Sequence, residues 1–151
     1  MVYLFEGDIL AAALPRDRFG KLVGQELQDF SYIYTLAKVV KELVVEGPIV
    51  LVNDPLEQEV FLFLQPIVEN NTYLGQVVVA LDKDYVLEQF ELGDLYGQGY
   101  DYELWRVEPQ NGNKEVIASS RPDKDFSQAQ KTVFYLPTQW TLSIQPKAGW
   151  I

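Results

Sequence analysis

Short apolar runs bounded by turn residues predict five strands in the first half of the chain. They are Val2–Phe5, Ile9–Leu14, Ile49–Val52, Val60–Val68 and Tyr73–Leu81. The first two flank Glu6-Gly7-Asp8 and predict a hairpin. Val60–Val68 is apolar on both faces, which predicts a central strand, and Pro66 within it predicts a bulge or bend.

One helix is predicted between the second and third strands, after a polar loop from Pro15 to Gly24. Asp29 or Ser31 is the predicted N-cap, and Gly47-Pro48 the predicted end. Five antiparallel strands with a helix after the second predict a PAS-like layout. The helix prediction rests on one apolar stripe at helical spacing: Ile33, Leu36, Ala37, Val40, Leu43 and Val44.

The second half repeats this scheme on a smaller scale. A short helix from Tyr85 to about Phe90 precedes a link through Gly93, Gly97 and Gly99. The predicted strands are Tyr100–Glu108, Lys114–Ser119, Lys131–Leu136 and Trp140–Gln145. The sequence therefore predicts an α+β protein. A PAS-like five-stranded antiparallel sheet with helices occupies 1–82, and a smaller antiparallel α/β lobe occupies 83–151.

The amino-acid composition excludes several kinds of catalytic and metal site and disfavours some partners. The 151 residues include no cysteine and no histidine, which excludes thiolate nucleophiles, Ser-His-Asp catalysis and ordinary zinc or haem sites. The net charge of −10 disfavours nucleic acid and anionic lipid as partners. No apolar run reaches the roughly 18 residues that a membrane span needs. We therefore expect no cofactor, no metal and no nucleic-acid partner.

Paired carboxylates are the remaining candidates for catalysis. Glu57/Glu59, Asp82/Asp84 and Asp123/Asp125 are each two residues apart, as acid–base pairs in glycoside hydrolases could be. All three pairs lie in predicted turns or at a helix start, where solvated acids are common. A small hydrolase is thus the weakest hypothesis, and we expect no catalytic residues.

The tail of the chain has a pattern of its own. Trp140, Leu142 and Ile144 alternate with polar residues, and Pro146 ends the run. The final Gly149-Trp150-Ile151 suggests an interface anchor just before a membrane span. The alternative interpretation is a last edge strand with an arbitrary end.

Six segments, taken in order, resemble the CHASE-type extracytoplasmic sensor domain of the wider PAS-like Cache (PDC) group. The resemblance runs from about Gly24 to Trp150. Its segments are Gly24-Gln25-Glu26-Leu27, Glu46-Gly47-Pro48-Ile49-Val50-Leu51, Gln65-Pro66-Ile67-Val68, Tyr73-Leu74-Gly75-Gln76-Val77-Val78-Val79, Gly99-Tyr100-Asp101-Tyr102-Glu103-Leu104-Trp105, and the tail from Trp140 to Trp150.

This resemblance implies a bacterial receptor domain outside the cytoplasmic membrane, held between two transmembrane helices. The membrane-distal lobe would bind a small molecule, and the output would be cytoplasmic, such as a diguanylate cyclase, a phosphodiesterase or a histidine kinase. The domain itself would not be an enzyme. Such domains normally begin with a long helix that often pairs in a homodimer, whereas here a strand follows Met1 almost directly.

The predicted ligand site follows from strand alternation together with the resemblance. Phe61, Phe63 and Gln65 share one face of their strand, and Leu51 and Asn53 share one face of the neighbouring strand. Aromatic rings beside a few amides suit a small ligand. The alternative is that the phenylalanines are core. Trp105 is predicted to be structural and to pack against Trp140.

The resemblance also places Asp29 about where plant hormone-binding CHASE domains have a ligand-contacting aspartate, with Tyr32 and Tyr34 nearby. Asp29 could cap the helix as well. The leading hypothesis is a small-molecule sensor, and the alternative is a PAS-like dimerisation or protein-interaction module with a filled core. The predicted ligand-binding residues are Asp29, Tyr32, Leu51, Asn53, Phe61, Phe63 and Gln65.

Overall fold

A computed structural model describes residues 1–51, 54, 56–134 and 139–150. The chain divides into two compact units, Met1–Lys83 and Asp84–Ile151. The first unit contains a five-stranded sheet and the second a four-stranded sheet, and every strand pair is antiparallel. The predicted α+β class with a larger and a smaller sheet is confirmed.

The sheet of the first unit has the order β2-β1-β5-β4-β3. The predicted hairpin of the first two strands is present. The strand predicted to be central, β4, is paired on both sides, and its register with β5 shifts between Ile67 and Val68, just after Pro66. The strands are β1 (Val2–Glu6), β2 (Ile9–Leu14), β3 (Val44–Val50), β4 (Glu59–Glu69) and β5 (Thr72–Asp82).

The segment predicted as a polar loop is instead partly helical. It forms helix α1 (Arg16–Phe19) and then a 3₁₀ turn at Gly20–Leu22. Phe19 and Leu22 are both buried, so these two side chains anchor the segment to the core despite its polar neighbours. A second 3₁₀ turn, Leu27–Asp29, leads to the main helix.

The main helix, α2 (Tyr32–Val40), ends earlier than predicted. Lys41 adopts the left-handed conformation with φ 57° and donates its N–H to the Ala37 carbonyl, which stops the helix. Leu43 follows the helix, and Val44 begins β3, which continues through Gly47-Pro48. The β-branched pair Val44-Val45 favours a strand, and a bulge in β3 accommodates the proline.

The core of the first unit lies between one face of the sheet and the helices. Tyr3 and Phe5 of β1 share this face with Leu64 and Val78. The aromatic rings meet edge to face, with centroids 5.8 Å apart for Tyr3 and Phe19 and 5.4 Å apart for Phe5 and Phe30. These contacts tie the sheet to the segments that precede α2.

The sheet of the second unit has the order β7-β6-β9-β8. The predicted glycine-rich link is partly wrong, because it contains a helix that begins at Leu92. Tyr135 and Leu136 of the predicted third strand lie outside the described residues. The elements are α3 (Lys83–Gln89), which starts at the last residue of the first unit, then α4 (Leu92–Gly97), β6 (Tyr100–Val107), β7 (Lys114–Ser119), β8 (Gln130–Phe134) and β9 (Trp140–Pro146).

The two strand tryptophans of this unit do not pack together as predicted. Trp105 is paired with Thr141, so the adjacent Trp140 points to the opposite face of the sheet. Trp105 donates its indole N–H to the Ser143 hydroxyl at 3.1 Å. Trp140 instead contacts Phe90, with ring centroids 5.8 Å apart.

One face of this sheet buries polar side chains. Asp101 is fully buried and accepts hydrogen bonds from Lys124 at 2.5 Å and from the Ser120 hydroxyl at 3.2 Å. Gln145, paired with Asp101, donates to the Asp125 carbonyl at 3.0 Å. The chain after β7 is therefore held by these polar contacts together with the burial of Phe126.

We expect Gly75→Ala to destabilise the first unit, because a Cβ at this position would collide with the Phe5 carbonyl oxygen of the paired strand. Backbone cannot yield as a flexible side chain does, so the expected loss is about 2 kcal/mol or more. The matched control is Gly93→Ala in α4, where no atom lies within 4 Å of the new Cβ. Urea unfolding should show the control unchanged or slightly more stable, and equal stability of the two variants would contradict the close approach.

We expect the Asp101 carboxylate to make the second unit acid-sensitive. Burial opposes its ionisation, but the hydrogen bonds from Lys124 and Ser120 outweigh it and hold the pKa of Asp101 below its usual range. The ionised Asp101 carboxylate therefore stabilises the folded unit fully above the unfolded-state pKa of about 4. This contribution is lost as the pH falls through the lower folded-state pKa.

Asp101→Asn should cost about 3 kcal/mol near neutral pH, because it leaves Lys124 without its anionic partner. The loss should shrink as the pH falls toward about 2. Asp123→Asn changes an exposed carboxylate of the same segment and is the control. The proposed anchoring by Asp101 is contradicted if the two variants unfold at the same urea concentration near neutral pH.

Candidate ligand-binding cavity

A cavity of about 110 Å³ lies in the first unit beside the start of α2. The sheet contributes one wall, through β1, the end of β3 and β4. The segments that lead into α2 contribute the other. Several lining residues are exposed, including Gln25, Asp29 and Val50, and they mark the mouth. The lining residues are Tyr3, Leu22, Gln25, Asp29, Phe30, Ser31, Tyr34, Ile49, Val50, Leu51 and Leu62.

Aromatic packing fixes the deep side of the cavity. Tyr3 and Phe30 have ring centroids 5.8 Å apart, and Phe30 and Tyr34 have ring centroids 5.1 Å apart. Gln76, fully buried in β5, donates to the Tyr34 carbonyl at 3.1 Å and so attaches the first turn of α2 to the sheet. The rings of Tyr3, Phe30 and Tyr34 therefore pack on one another, and the backbone at Tyr34 is bonded to the sheet.

Two tyrosines with buried rings line the cavity. Tyr3 is 2% exposed and Tyr34 4% exposed. Neither hydroxyl makes a hydrogen bond within the described part of the chain. Burial, together with the charge of Asp54, raises the pKa of Tyr3 to about 12, and burial also raises the pKa of Tyr34. Both phenols are therefore neutral near pH 7 and can donate or accept a hydrogen bond from a ligand or water.

Among the described lining residues, Asp29 is the one with a charged side chain. Its Oδ2 accepts the Glu26 N–H at 3.1 Å, in a capping box that closes the 3₁₀ turn. Its Oδ1 makes no hydrogen bond among the described residues. Ser31, the N-cap residue of α2, makes no side-chain capping bond. The N-cap of α2 is thus Ser31 and not Asp29, whose carboxylate takes part in the capping box of the 3₁₀ turn and keeps Oδ1 without a partner among the described residues.

A buried ion pair adjoins this region without lining the cavity. Arg18 contacts the Asp54 carboxylate at 2.5 Å, and the side chain of Asp54 is 1% exposed. Burial opposes ionisation of Asp54, but hydrogen bonds from Arg18 and from the Leu56 N–H hold its pKa below the usual range. The Asp54 carboxylate, although paired with Arg18, still raises the pKa of Tyr3.

The structure brings two of the seven predicted site residues, Asp29 and Leu51, to the cavity. Phe61 and Phe63 lie on the face of β4 opposite to Leu62 and Leu64, which face the core; Phe61 is fully buried and Phe63 half-buried.

Gln65, on that same opposite face, is exposed and donates to the Pro66 carbonyl at 3.0 Å. Tyr32 is exposed and does not line the cavity. Asn53 lies outside the described residues. The ligand-binding role of the whole set stays a prediction.

Sequence reasoning missed Tyr3 and Phe30 as lining residues. In the sequence, Tyr3 looks like any residue of a hairpin at the edge of a sheet, because the neighbouring residues carry no signal that β1 pairs with β5. Phe30 precedes the predicted helix and falls outside its apolar stripe. The cluster Phe30-Ser31-Tyr32-Ile33-Tyr34 next to Asp29 was the available signal, since aromatic rings beside one carboxylate are typical of small-ligand sites.

No protein-family model matches the chain, and no curated protein matches its sequence. Several solved structures are similar in fold, and two of them serve as examples. One is an extracellular ligand binding receptor from Desulfohalobium retbaense DSM5692, with a TM-score of 0.60, 10% identity, and coverage of 95% of this chain and 29% of that one. The chain thus spans less than a third of that receptor's length.

The other is the ligand-binding domain of the Pseudomonas aeruginosa PAO1 amino acid chemoreceptor PctC, in complex with GABA. Its TM-score is 0.58 at 13% identity, and the match covers 95% of this chain and 72% of that chain. At these identities the likeness shows the fold alone: the chain has the two-sheet fold of receptor ligand-binding domains.

The described residues lack two features that would bear on function, a metal-binding cluster and a membrane-spanning helix. They contain no group of three or more histidine, cysteine, aspartate or glutamate side chains placed to hold a metal ion. No helix among them has the length and apolar character needed to cross a membrane.

We expect Tyr3→Phe to change stability little near neutral pH, within about 1 kcal/mol, because the lost hydroxyl has no protein partner. A tyrosine with a raised pKa stabilises the fold below about pH 10 and loses that contribution as pH rises toward about 12. Tyr3→Phe should therefore lose less stability than the wild type between about pH 9 and 12. Urea unfolding at several pH values in this range measures the free energy of unfolding of the variant and of the wild type.

The matched control is Tyr85→Phe, which changes an exposed tyrosine. Its alkaline loss of stability should equal that of the wild type. A large loss from Tyr3→Phe near neutral pH would instead show that its hydroxyl is hydrogen-bonded within the protein.

Proposed function

We propose that the chain is a ligand-sensing domain of a receptor and that the small molecule binds in the cavity of the first unit. The observation that carries this proposal is the pair of buried tyrosines whose hydroxyls line the cavity without a protein partner. A hydroxyl that lacks a protein partner is open to a hydrogen bond with a ligand. The fold of receptor ligand-binding domains supports the same function.

The finer proposal follows the resemblance to CHASE-type domains of the Cache group. Residues 1–82 would be the membrane-distal, ligand-binding lobe, and 83–151 the membrane-proximal lobe that leads to a transmembrane helix. The domain would lie outside the cytoplasmic membrane of a bacterium, in a membrane-anchored parent protein that forms a homodimer. It would have no enzymatic activity and would control a cytoplasmic diguanylate cyclase or histidine kinase.

The lining suggests how binding would be transmitted. The cavity joins the start of α2, through Ser31 and Tyr34, to the end of β3, through Val50 and Leu51. A ligand that contacts both elements favours the arrangement in which they are close. Such a preference for one of two arrangements is what signalling requires.

Ligand binding should appear as thermal stabilisation in a screen of a broad metabolite library against the purified chain. At a concentration about a hundred times Kd, one site adds about 2.7 kcal/mol, which corresponds to a rise in Tm of roughly 5 °C or more. A library without any stabilising compound would count against the proposal.

Blocking the mouth should abolish this stabilisation. Ser31→Trp places a large side chain at a lining position. The control Thr35→Trp places the same side chain one turn further along α2, outside the lining. Circular dichroism establishes that both variants fold. The cavity would not be the binding site if Ser31→Trp bound the identified compound as the wild type does.

The second candidate function, a dimerisation module, is favoured by the outer face of α2. Leu36, Val39 and Val40 are exposed on this nine-residue helix, and Val39 is 68% exposed. Apolar helix faces of this kind mark interaction sites. We expect Val39→Glu to shift any dimer to monomer in light scattering, whereas Glu42→Gln should leave it unchanged. A wild type that is monomeric at high concentration would contradict this candidate.

A further inference from the structure

We infer that the open edge of the second unit's sheet, strand β8, pairs with β8 of a second copy of this chain. One antiparallel strand pair would then join the two four-stranded sheets into a continuous sheet. This inference assigns an interaction surface and its partner. It does not depend on the ligand-sensing function, and either can fail without the other.

The first argument is a place for a strand that the second unit leaves empty. In both units the last strand pairs with the first strand of a hairpin, which gives β2-β1-β5 in one sheet and β7-β6-β9 in the other. The next strand is β4 in the first unit and β8 in the second. β3 pairs with the far side of β4, whereas no strand of the described residues pairs with the far side of β8. The strand order therefore leaves room for one more strand beside β8.

The second argument is that β8, within the described part of the chain, lacks the protection of the other sheet edges. The edge of β2 is bonded to a later segment, since the Gly24 N–H donates to the Leu10 carbonyl at 2.8 Å. β3 has a bulge and contains Pro48, and β7 has a bulge at Ile117, which its register with β6 skips. Bulges and prolines discourage the addition of a strand. β8, in contrast, keeps a regular register with β9, and all of its residues are exposed.

The third argument is the self-complementary sequence of β8. Pairing the whole strand about a two-fold axis places Thr132 opposite its counterpart in the partner. Lys131 then lies opposite the partner's Val133, and Gln130 lies opposite the partner's Phe134. Threonine pairs are favourable across antiparallel strands, and no like charges stand opposite each other in this register. A register centred on Lys131 would instead oppose two lysines.

Size and charge limit the strength of this contact. A standard protein interface involves about 20–30 residues a side, and β8 offers 5. Each copy also carries a net charge of −10, so two copies repel each other until salt screens the charges. We therefore expect a weak dimer that is populated at high protein concentration and is more populated at high than at low ionic strength.

Disulfide cross-linking tests the register, because the chain contains no cysteine that could interfere. Thr132→Cys should form a covalent dimer under mild oxidation, since the two thiols face each other across the two-fold axis. Val133→Cys should cross-link at least roughly tenfold more slowly, because in this register its two Cα atoms are too far apart for an unstrained disulfide. Val116→Cys, exposed on β7, gives the rate of random collision. Non-reducing gel electrophoresis at high ionic strength measures the three rates.

Exchanging charges at the same position tests the contact without a covalent bond. Thr132→Lys and Thr132→Glu each place like charges opposite each other, and each should weaken self-association roughly two- to fivefold. An equimolar mixture of the two variants should restore it, because opposite charges then face each other. Thr132 is exposed, so both variants should fold, which circular dichroism checks. Sedimentation measures the association, and the same two substitutions at Val116 are the control and should have no effect.

The remaining outcomes overturn the inference. If Thr132→Cys cross-links no faster than Val116→Cys, or if the wild type stays monomeric at millimolar concentration and high salt, β8 does not meet a second β8. Equal rates for Thr132→Cys and Val133→Cys would overturn the two-fold register. A dimer that Val39→Glu abolishes and Thr132→Lys leaves intact would make the outer face of α2 the interface instead. In every case the ligand-sensing function is decided separately, by the metabolite screen.

Discussion

The pairing of β1 with β5 is the contact on which the cavity depends. It joins the first residues of the chain to residues more than seventy positions later, with Tyr3 opposite Val78. Because alternate residues of a strand share a face, this register puts Tyr3 and Phe5 on the same side of the sheet as Leu62 and Leu64. The aromatic rings that precede α2 then have a surface to pack on. Without this pairing, Phe30 and Tyr34 would have no partner for their edge contacts, and the cavity would lose its deep wall.

The close pairing of β1 with β5 also explains why the sheet requires a glycine at position 75. Gly75 stands where the backbone of β1 approaches β5 too closely for a Cβ, whereas Gly93 stands in open space. Gly75 and Gly93 each follow a leucine, yet the two glycines have different roles in the two units. In the first unit the glycine permits a close strand contact, and in the second it is an ordinary helical residue that a larger side chain could replace.

Local periodicity predicted most strands within one or two residues, because turn residues and apolar runs are local signals. It failed where the deciding contact is distant. Val40 and Val44 both fit the helical stripe, yet the left-handed Lys41 divides them between a helix and a strand. Nothing in the sequence around Lys41 distinguishes it from a helical lysine. The polar run from Pro15 to Gly24 likewise conceals a short helix, which is stabilised by the burial of Phe19 against Tyr3.

The face of β4 was the hardest feature to predict. Alternation separates Phe61 and Phe63 from Leu62 and Leu64, but when both sets are apolar it cannot show which set faces the helices. Aromatic residues suggested the ligand side, and the structure instead places the leucines on the core side. Asp29 was predicted from the resemblance to CHASE-type domains and Leu51 from strand alternation, and both line the cavity. Tyr3 could not be predicted, since its role comes entirely from the pairing of β1 with β5.

Tyr34 shows why a core and a ligand site can share one residue. Its ring contributes to the aromatic core, and its carbonyl, which accepts the Gln76 amide, attaches α2 to the sheet. Its hydroxyl, in contrast, has no partner among the described residues. A phenylalanine would make the same ring contacts without the hydroxyl. The hydroxyl therefore adds nothing to folding that the ring does not already supply, and it makes physical sense as a group that pairs with a molecule entering the cavity.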